Sequence, residues 1–184
     1  MKLAYTTLER IAIVVASLAL SVGLIALLSG FFAARDQAGI SGGQLGPGEA
    51  FADQGSALLA PGQVRPAYDS DPPTSGAHLP VPVLRDGVLL TNDQLLQALA
   101  LGDVVIMFGG PSPPARLRAL AARVAGPFTP ALATAGQAVI LARRPGTAGE
   151  IALAWTHMVR VAGPQDPRLG QFAAFWLGRG APRR

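Results

Sequence analysis

One segment near the N-terminus limits what this chain can fold into: residues 11–34 contain no charged side chain and are mostly apolar. A helix of this length would be about 36 Å long, which exceeds the roughly 30 Å of a bilayer's hydrocarbon core. Ala33 and Ala34 would suit a cleaved signal peptide, but the apolar core of such a peptide is only about 7–15 residues long. The segment therefore predicts a single transmembrane helix that anchors the protein in a lipid bilayer.

Positive charge on either side of this segment predicts its orientation. Lys2 and Arg10 precede it, whereas Arg35 is followed by no Lys or Arg until Arg65. Because positively charged flanks stay on the cytoplasmic side, residues 1–10 should lie in the cytoplasm. The part of the chain that follows the helix should then lie outside the cytoplasm.

The composition argues against several classes of function. There are no cysteines and only two histidines, which excludes disulfides, iron–sulfur clusters, thiolate metal sites and cysteine nucleophiles. The net charge is +4, but the basic residues are scattered rather than clustered as in nucleic-acid binders. No serine or carboxylate occurs in a recognisable catalytic motif. The sequence therefore favours a protein with no catalytic residues, no cofactor, no resident metal and no nucleic-acid partner.

The rest of the chain divides into three parts. Residues 35–50 are rich in Gly and turn-forming residues, which predicts a flexible tether. Residues 51–180 are long enough for one hydrophobic core, and residues 181–184 form a basic tail. The apolar periodicity of residues 51–180 switches between that of helices and that of strands. It predicts an α+β fold, with a small mixed or antiparallel sheet of three or more strands covered by about three helices.

Two helices and a buried strand are predicted in the first half of this domain. A Thr-x-x-Gln capping box at residues 91–94 indicates the start of a helix, and Gly102 indicates its end. Residues 103–108 follow as a continuous apolar run, which is typical of a buried strand. Ser112 is then expected to cap a second helix that has Pro113 at its first position.

Two further strands and a final helix are predicted toward the C-terminus. Residues 137–143 and 151–161 each have strand character, and their proximity in sequence predicts that they pair as a hairpin. Asp166 and Pro167 should open the last helix. Alternation along the longer strand places six residues on one face: Ile151, Leu153, Trp155, His157, Val159 and Val161. The inward side of the last helix should carry Leu169, Phe172, Ala173 and Trp176.

The most distinctive segment is the polar loop, residues 68–78, with the sequence Tyr-Asp-Ser-Asp-Pro-Pro-Thr-Ser-Gly-Ala-His. Its prolines stiffen the chain, and its Thr-Ser-Gly turn offers hydroxyls and backbone amides to a ligand. The candidate ligand-binding residues are Tyr68, Asp69, Asp71, Thr74, Ser75, His78 and, from the predicted long strand, His157. Two structural alternatives stay open. The loop would be held rigid by its own side-chain-to-backbone bonds, and His157 would be a core histidine bonded to a backbone carbonyl.

The polar loop resembles part of a bacterial family of domains of unknown function, the one numbered 3105, which usually lie outside a single membrane anchor. The family pattern Pro-Pro-Thr-Ser-Gly-x-His matches residues 72–78. Its Asp-Gln-Gly, Pro-Gly and Ala-Trp elements match residues 53–55, 61–62 and 154–155. The resemblance implies a protein of the bacterial plasma membrane with an extracytoplasmic domain.

The chain departs from this family pattern at its histidines and its glutamate. An early family histidine falls on Leu58. The family's His-x-Leu-Glu-His-Gly element falls on residues 97–102, where Gln97, Ala100 and Leu101 stand at the His, Glu and His positions. Several histidines and a glutamate around one loop would suit a metal or catalytic site. The resemblance therefore implies a member that keeps the scaffold and lacks that site.

These features favour a membrane-anchored extracytoplasmic domain without catalytic activity. It would act through protein contacts, as an accessory or assembly subunit of a membrane complex. The alternative is a small-ligand or metal-binding module centred on residues 72–78, in which His157 and Asp69 or Asp71 assist His78. An enzyme, such as a hydrolase, would need a nucleophile or a base that no motif supplies.

Overall fold

The computed structural model describes residues 46–182. The predicted cytoplasmic segment, the predicted transmembrane segment at residues 11–34 and most of the predicted tether lie outside the described residues, as do residues 183–184. Within residues 46–182, no helix is both long enough and apolar enough to span a bilayer.

A six-stranded mixed sheet forms the centre of the described domain. Its strands are β1 (Glu49–Ala50), β2 (Val88–Leu89), β3 (Val104–Phe108), β4 (Val139–Arg143), β5 (Glu150–Ala154) and β6 (His157–Val161). Their spatial order is β1-β6-β5-β3-β4-β2. The β2–β4 and β4–β3 pairs are parallel, and the β3–β5, β5–β6 and β6–β1 pairs are antiparallel. The α+β class and the mixed sheet predicted from the sequence are confirmed.

Helices cover both faces of this sheet. They are α1 (Asn92–Leu101), α2 (Ala115–Ala125), α3 (Pro130–Thr134) and α4 (Pro167–Trp176). One core cluster joins α1 and α3 to the sheet, and a second cluster joins α2 and α4 to it. Alternate residues of β3 enter the two clusters, with Val105 and Met107 in the first and Val104, Ile106 and Phe108 in the second. Because both faces of β3 are covered, its sequence is uninterruptedly apolar.

The predicted ends of α1 and the predicted start of α4 are confirmed. The Thr91 hydroxyl accepts a hydrogen bond from the Gln94 N–H at 3.2 Å, and the Gln94 side chain accepts one from the Thr91 N–H at 3.1 Å. Gly102 ends α1 in a left-handed conformation, with a φ of 116°. At the start of α4, the Asp166 carboxylate accepts a hydrogen bond from the Arg168 N–H at 2.9 Å.

The start predicted for α2 is wrong. Pro114, not Ser112, directly precedes the helix, and no side chain caps that end. A residue that precedes a proline is disfavoured in helical conformation, and Ser112 and Pro113 each precede one. The chain therefore stays extended past the serine, and α2 begins only after the last proline.

The single long strand predicted over residues 151–161 is also wrong. The chain forms β5 and β6 there, joined by a two-residue turn at Trp155 and Thr156. Thr156 has a φ of 59°, a left-handed conformation that is rare in a β-branched residue, so the turn lacks the usual Gly or Asn signal. Trp155 belongs to the first core cluster, which contains residues of α1 and α3, whereas His157 stacks on Trp176 of α4 on the other face of the sheet. The six alternating residues consequently do not share one face.

The predicted hairpin between residues 137–143 and 151–161 is wrong because β3 lies between them. β4 pairs parallel with one edge of β3, and β5 pairs antiparallel with the other. The parallel pair requires a crossover between β3 and β4, which α2 and α3 provide. All five residues of β5 are buried, and its central place between β3 and β6 accounts for this.

Ordered contacts begin before residue 51. Glu49 and Ala50 pair with Met158 and His157 of β6. The Trp176 indole N–H donates a hydrogen bond to the Pro47 carbonyl at 2.8 Å. The sheet thus includes residues from the range 35–50 in which the sequence predicts a tether.

Candidate functional site

The residues predicted to bind a ligand differ sharply in burial. Thr74, Ser75, His78 and His157 are buried, Tyr68 is half-buried, and Asp69 and Asp71 are exposed. The polar loop lies over the β5–β6 turn, where the Thr156 N–H donates a hydrogen bond to the Thr74 carbonyl at 3.0 Å. Most of the loop's hydroxyl and imidazole groups therefore face the protein rather than solvent.

Two hydroxyls of the polar loop, those of Ser75 and Tyr68, bond to backbone groups. Ser75 Oγ donates to the Ala52 carbonyl at 3.0 Å and accepts from the Gln54 N–H at 3.1 Å. The Tyr68 hydroxyl donates to the Ala77 carbonyl at 3.1 Å. These bonds favour a structural role, in which the loop holds the segment around residue 53 against the domain.

His78 is also tied to the backbone around it. Its Nδ1 lies 2.8 Å from the Gly76 carbonyl oxygen, so Nδ1 carries the proton and donates it to that oxygen. Its main-chain N–H and C=O bond to Ala57 and Leu59, at 3.1 and 2.9 Å. Within the described part of the chain, Nε2 is buried and has no hydrogen-bond partner. A single imidazole nitrogen is therefore all that His78 has to offer a ligand.

Two arginines bond to Asp71: Arg144, which directly follows β4, and Arg160 of β6. Both of its carboxylate oxygens lie 2.8 Å from the Arg144 guanidinium, and its main-chain carbonyl accepts a hydrogen bond from Arg160 at 2.6 Å. The ion pair is exposed, so its contribution to stability is about 0–1 kcal/mol. The carboxylate therefore faces a cation at the surface rather than the buried imidazole of His78.

His157 is buried beside Trp176, a member of the second core cluster. Its Nδ1 is 3.2 Å from the Trp155 carbonyl, and its ring stacks on Trp176 with centroids 4.0 Å apart. Burial lowers the pKa of His157, which favours the neutral ring. Tyr68 packs against the cluster on the other face of the sheet. Residues 46–182 contain no group of three or more His, Asp or Glu side chains arranged to hold a metal ion.

Replacing Ser75 with Ala should loosen residues 52–54 and destabilise the domain by about 1–2 kcal/mol, because two backbone groups lose their partner. Thermal unfolding measures the loss, and faster hydrogen exchange at the Gln54 amide would identify its cause. Ser70→Ala is the matched control, since the Ser70 hydroxyl only lies 3.4 Å from that of Thr74. Equal destabilisation by the two substitutions would contradict the structural role of Ser75.

A cavity of about 230 Å³ lies between α1, α3 and the segment that precedes β2. Its walls are mostly apolar or small side chains. The lining residues are Pro80, Pro82, Val83, Gln97, Ala98, Leu101, Asp103, Ala133 and Thr134. The cavity is thus built from three chain segments that are far apart in sequence.

The cavity contains a buried carboxyl group, that of Asp103, which is 1% exposed. Its Oδ1 accepts a hydrogen bond from the Ala138 N–H at 2.8 Å, but its Oδ2 has no partner among residues 46–182. Burial raises the pKa of this carboxyl to about 7, against the opposing effect of the Ala138 hydrogen bond. The side-chain oxygen of Gln97 is likewise buried without a partner. Two residues that line the cavity, Asp103 and Gln97, therefore each carry a buried oxygen without a hydrogen-bond partner among the described residues.

The sequence predicts Asp103 at the start of an apolar strand and indicates no functional role for it. A signal was nevertheless available, because a carboxylate stands between a helix-ending glycine and five apolar residues, where burial is hard to avoid. Gln97 and Leu101, which occupy the two histidine positions of the resembled pattern, also line the cavity.

Comparison with known proteins gives one informative match. No curated protein and no solved structure matches the chain significantly. The sequence does match the family described as "Protein of unknown function (DUF3105)" over residues 62–183, about two thirds of its length. The matched range includes the polar loop, the cavity and every strand from β2 onward. The chain therefore belongs to the DUF3105 family of proteins of unknown function.

Proposed function

We propose that this protein is a non-catalytic, single-pass protein of the bacterial plasma membrane, anchored by residues 11–34 with its N-terminus in the cytoplasm. Its extracytoplasmic domain would act as an accessory or assembly subunit that binds another membrane protein. The uncharged N-terminal segment supports the anchor. The bonding of Ser75 and Tyr68 to backbone carbonyls argues against a nucleophile in the polar loop. A C-terminal reporter enzyme that is active only outside the cytoplasm tests the orientation.

The observation that carries this proposal is a group of exposed apolar residues in and just before the edge strand β2, namely Leu84, Val88 and Leu89; this segment is called here the β2 edge. Leu84 is 63% exposed and Leu89 is 62% exposed, whereas the apolar residues of β3, β4 and β5 are buried. Within the described domain, β2 is the last strand of the sheet and pairs only with β4. Its outer side therefore has backbone groups that are free to bond a further chain, and the same segment carries exposed apolar side chains.

Charge at the β2 edge defines the chemistry of the partner. Arg85 lies between the two leucines, and Arg143 pairs in register with Leu89; both arginines are exposed. None of the ion pairs within residues 46–182 involves either of them. The carboxylate of the neighbouring Asp86 accepts a hydrogen bond from the Leu141 N–H of β4 at 2.6 Å. A protein surface with apolar residues bordered by carboxylates would match this edge.

Replacing Leu84 and Leu89 together with Ser should remove a stoichiometric partner from the full-length protein purified gently in detergent from its native membrane. Mass spectrometry of the co-purifying proteins measures the loss. Because both side chains are exposed, each substitution should change the free energy of unfolding by no more than about 0.5 kcal/mol. The loss of the partner would then reflect the missing contact rather than unfolding.

Val64→Ser is the matched control, because Val64 is 89% exposed and lies outside the β2 edge. This variant should retain the partner at full stoichiometry. Retention by the double variant, or loss from both variants, would contradict the proposal. A photo-crosslinking residue at position 89 distinguishes a protein from the bilayer: an adduct with the same partner supports the proposal, and adducts with lipid alone overturn it.

A further inference from the structure

The two helices on one face of the sheet, α2 and α4, bring together arginines that are scattered along the sequence. α2 contains Arg116, Arg118 and Arg123, and α4 contains Arg168. Neither helix contains an Asp or a Glu. The helices on the other face of the sheet, α1 and α3, contain no arginine. The described domain is therefore asymmetric, with a basic surface on one side that is called here the α2–α4 face.

Packing exposes the arginines of the α2–α4 face. All three arginines of α2 are exposed, because this helix buries its opposite side in the second core cluster, and Arg168 is exposed as well. Arg116 and Arg123 are seven residues apart, so they lie on the same side of α2, about 10 Å apart along its axis. That side is turned toward α4, since a Cβ added to Gly170 would lie 3.8 Å from a guanidinium nitrogen of Arg123.

The positive charge of this face is mostly uncompensated. Asp166, which directly precedes α4, forms an ion pair with Arg168 at 2.8 Å. Arg118 donates a hydrogen bond to the Pro113 carbonyl at 2.7 Å, a contact with a neutral group. None of the ion pairs within residues 46–182 involves Arg116 or Arg123. The four arginines and Asp166 together carry a net charge of +3.

The surface between these arginines lacks the apolar side chains that a protein interface needs at its centre. The other exposed residues of the two helices are small or uncharged: Ala115, Ala119, Ala122, Pro167, Gln171 and Ala174. None of the large apolar side chains exposed within residues 46–182 lies in α2 or α4. Protein interfaces typically depend on a few buried aromatic or apolar residues. The α2–α4 face therefore suits a partner that is recognised by charge alone.

A layer of anionic phospholipid head groups is such a partner. It presents phosphates across a plane, and the planar guanidinium of arginine binds phosphate through two parallel hydrogen bonds. Basic residues close to an anionic bilayer are attracted to it without any apolar pocket. Each contact is weak, but a domain anchored in the same bilayer stays close to it, so a few weak contacts are enough.

We propose that the α2–α4 face docks on the anionic head groups of the bilayer in which residues 11–34 anchor the protein. This inference rests on the anchor of the proposed function, because the anchor keeps the domain and the lipid together. It adds a second, electrostatic contact with the membrane that uses no residue of the β2 edge.

The test reconstitutes the full-length protein in lipid nanodiscs and measures how close α2 lies to the head groups. The chain contains no cysteine, so Ala119→Cys provides a unique site for a fluorophore on the α2–α4 face. A nitroxide on the lipid head groups should quench this fluorophore at least twofold more strongly in discs of phosphatidylglycerol and phosphatidylcholine than in discs of phosphatidylcholine alone. Raising the salt from about 0.1 M to 1 M should abolish the difference, because the Debye length falls from about 10 Å to 3 Å.

Ala131→Cys is the matched control for the labelled position. Ala131 is also an exposed helical alanine, but it lies in α3, on the other face of the sheet. Its fluorophore should be quenched equally in the two kinds of disc. Equal quenching of the Ala119 fluorophore in both, or the same increase at both positions, would overturn the proposal.

A double variant tests the arginines themselves. Arg116→Gln combined with Arg123→Gln should abolish the lipid-dependent quenching of the Ala119 fluorophore without changing the melting temperature. Arg65→Gln combined with Arg144→Gln removes the same charge from outside the two helices, and this control should retain the effect. Persistence of the effect in the first pair, or an equal loss in both pairs, would overturn the proposal.

The remaining outcomes separate this inference from the proposed function. A chain that does not stay in the nanodiscs would contradict the anchor, and with it both proposals. A chain that incorporates but shows no dependence on phosphatidylglycerol would overturn only the docking of the α2–α4 face. Shielding of the Ala119 fluorophore by a co-purifying acidic protein, whatever the lipid, would assign this face to a protein partner and also overturn the inference.

Discussion

Asp103→Asn should stabilise the protein at pH 8 and leave its stability almost unchanged at pH 3. The carboxyl is 1% exposed, and its Oδ2 has no hydrogen-bond partner among residues 46–182. An amide in its place can still accept the hydrogen bond from the Ala138 N–H through its oxygen. The substitution therefore removes a buried charge while keeping the structural bond that positions this side chain.

The direction of the pH effect follows from the two protonation equilibria. The pKa of the Asp103 carboxyl is raised to about 7 in the folded protein by burial, from 3.8 as the ordinary value. Below pH 3.8 the carboxyl is protonated in both the folded and the unfolded protein, so its ionisation does not affect the free energy of unfolding. As pH rises toward 7 the unfolded chain loses its proton first, and the folded state becomes less stable in comparison. Above pH 7 the carboxyl is ionised in both states, and its burial then lowers the free energy of unfolding by roughly 4 kcal/mol, at 1.36 kcal/mol per unit of pKa difference.

Denaturant unfolding at pH 3, 5 and 8 measures this effect. Trp155 and Trp176 are the two tryptophans of the chain and both are buried, so their fluorescence reports on unfolding of the domain. The stability of Asp103→Asn relative to the original protein should grow with pH and level off above 7. Asp69→Asn removes a charge from the exposed surface and serves as control. A stability difference that stays constant with pH would contradict ionisation of Asp103 as its cause.

Features determined by neighbouring residues were predictable from the sequence. The start of α1 depends on a bond between Thr91 and Gln94, three residues apart, and its end on the left-handed glycine at Gly102. The buried face of α4 follows from helical spacing alone, and all four residues predicted for it are buried. In each case the residues responsible lie within one or two helical turns of each other, so their spacing in the sequence is enough to predict the feature.

Features that depend on distant parts of the chain were not predictable in this way. Alternating apolar residues are compatible with one long strand or with two strands and a tight turn. The turn at Thr156 lacks Gly or Asn, and its Oγ1 lies 2.7 Å from the Trp155 carbonyl, to which it donates a hydrogen bond. The position of β3 between β4 and β5 depends on which strands are buried on both faces. Sequence proximity therefore predicted the wrong partner for β4.

In the candidate sites, too, contacts between neighbouring residues are predictable from the sequence and contacts between distant segments are not. The polar loop is conspicuous because its residues are consecutive, yet Ser75 bonds to the backbone of Gln54 and Ala52, which lie 21 and 23 residues away in the sequence. The cavity gathers residues from three separate segments, and its single carboxyl looked like the start of a strand. What distinguishes Asp103 is its unpartnered Oδ2, and only the packing of the three segments reveals it.

The C-terminal end of α1 is a junction where backbones touch directly, and glycines make this possible. Gly102 accepts a hydrogen bond from the Gly178 N–H at 2.8 Å, and Ala100 accepts one from the Ala181 N–H at 2.9 Å. Gly136 approaches the same turn from the loop that follows α3. A Cβ added to Gly136 would overlap the Leu101 carbonyl oxygen and lie 2.6 Å from its carbonyl carbon. The obstacle is backbone rather than a flexible side chain, so it cannot move aside without shifting α1.

Gly136→Ala should therefore destabilise the domain by about 2–5 kcal/mol, combining the cost of a left-handed alanine with that of overpacking. Gly146→Ala separates the two causes, because its φ of 83° resembles the 69° of Gly136 but an added Cβ would meet no atom within 4 Å. That control should lose only about 1–2 kcal/mol. Denaturant unfolding of both variants gives the comparison. If both lost the same free energy, backbone conformation alone would explain these glycines, and the close approach of residues 101 and 136 would contribute nothing to stability.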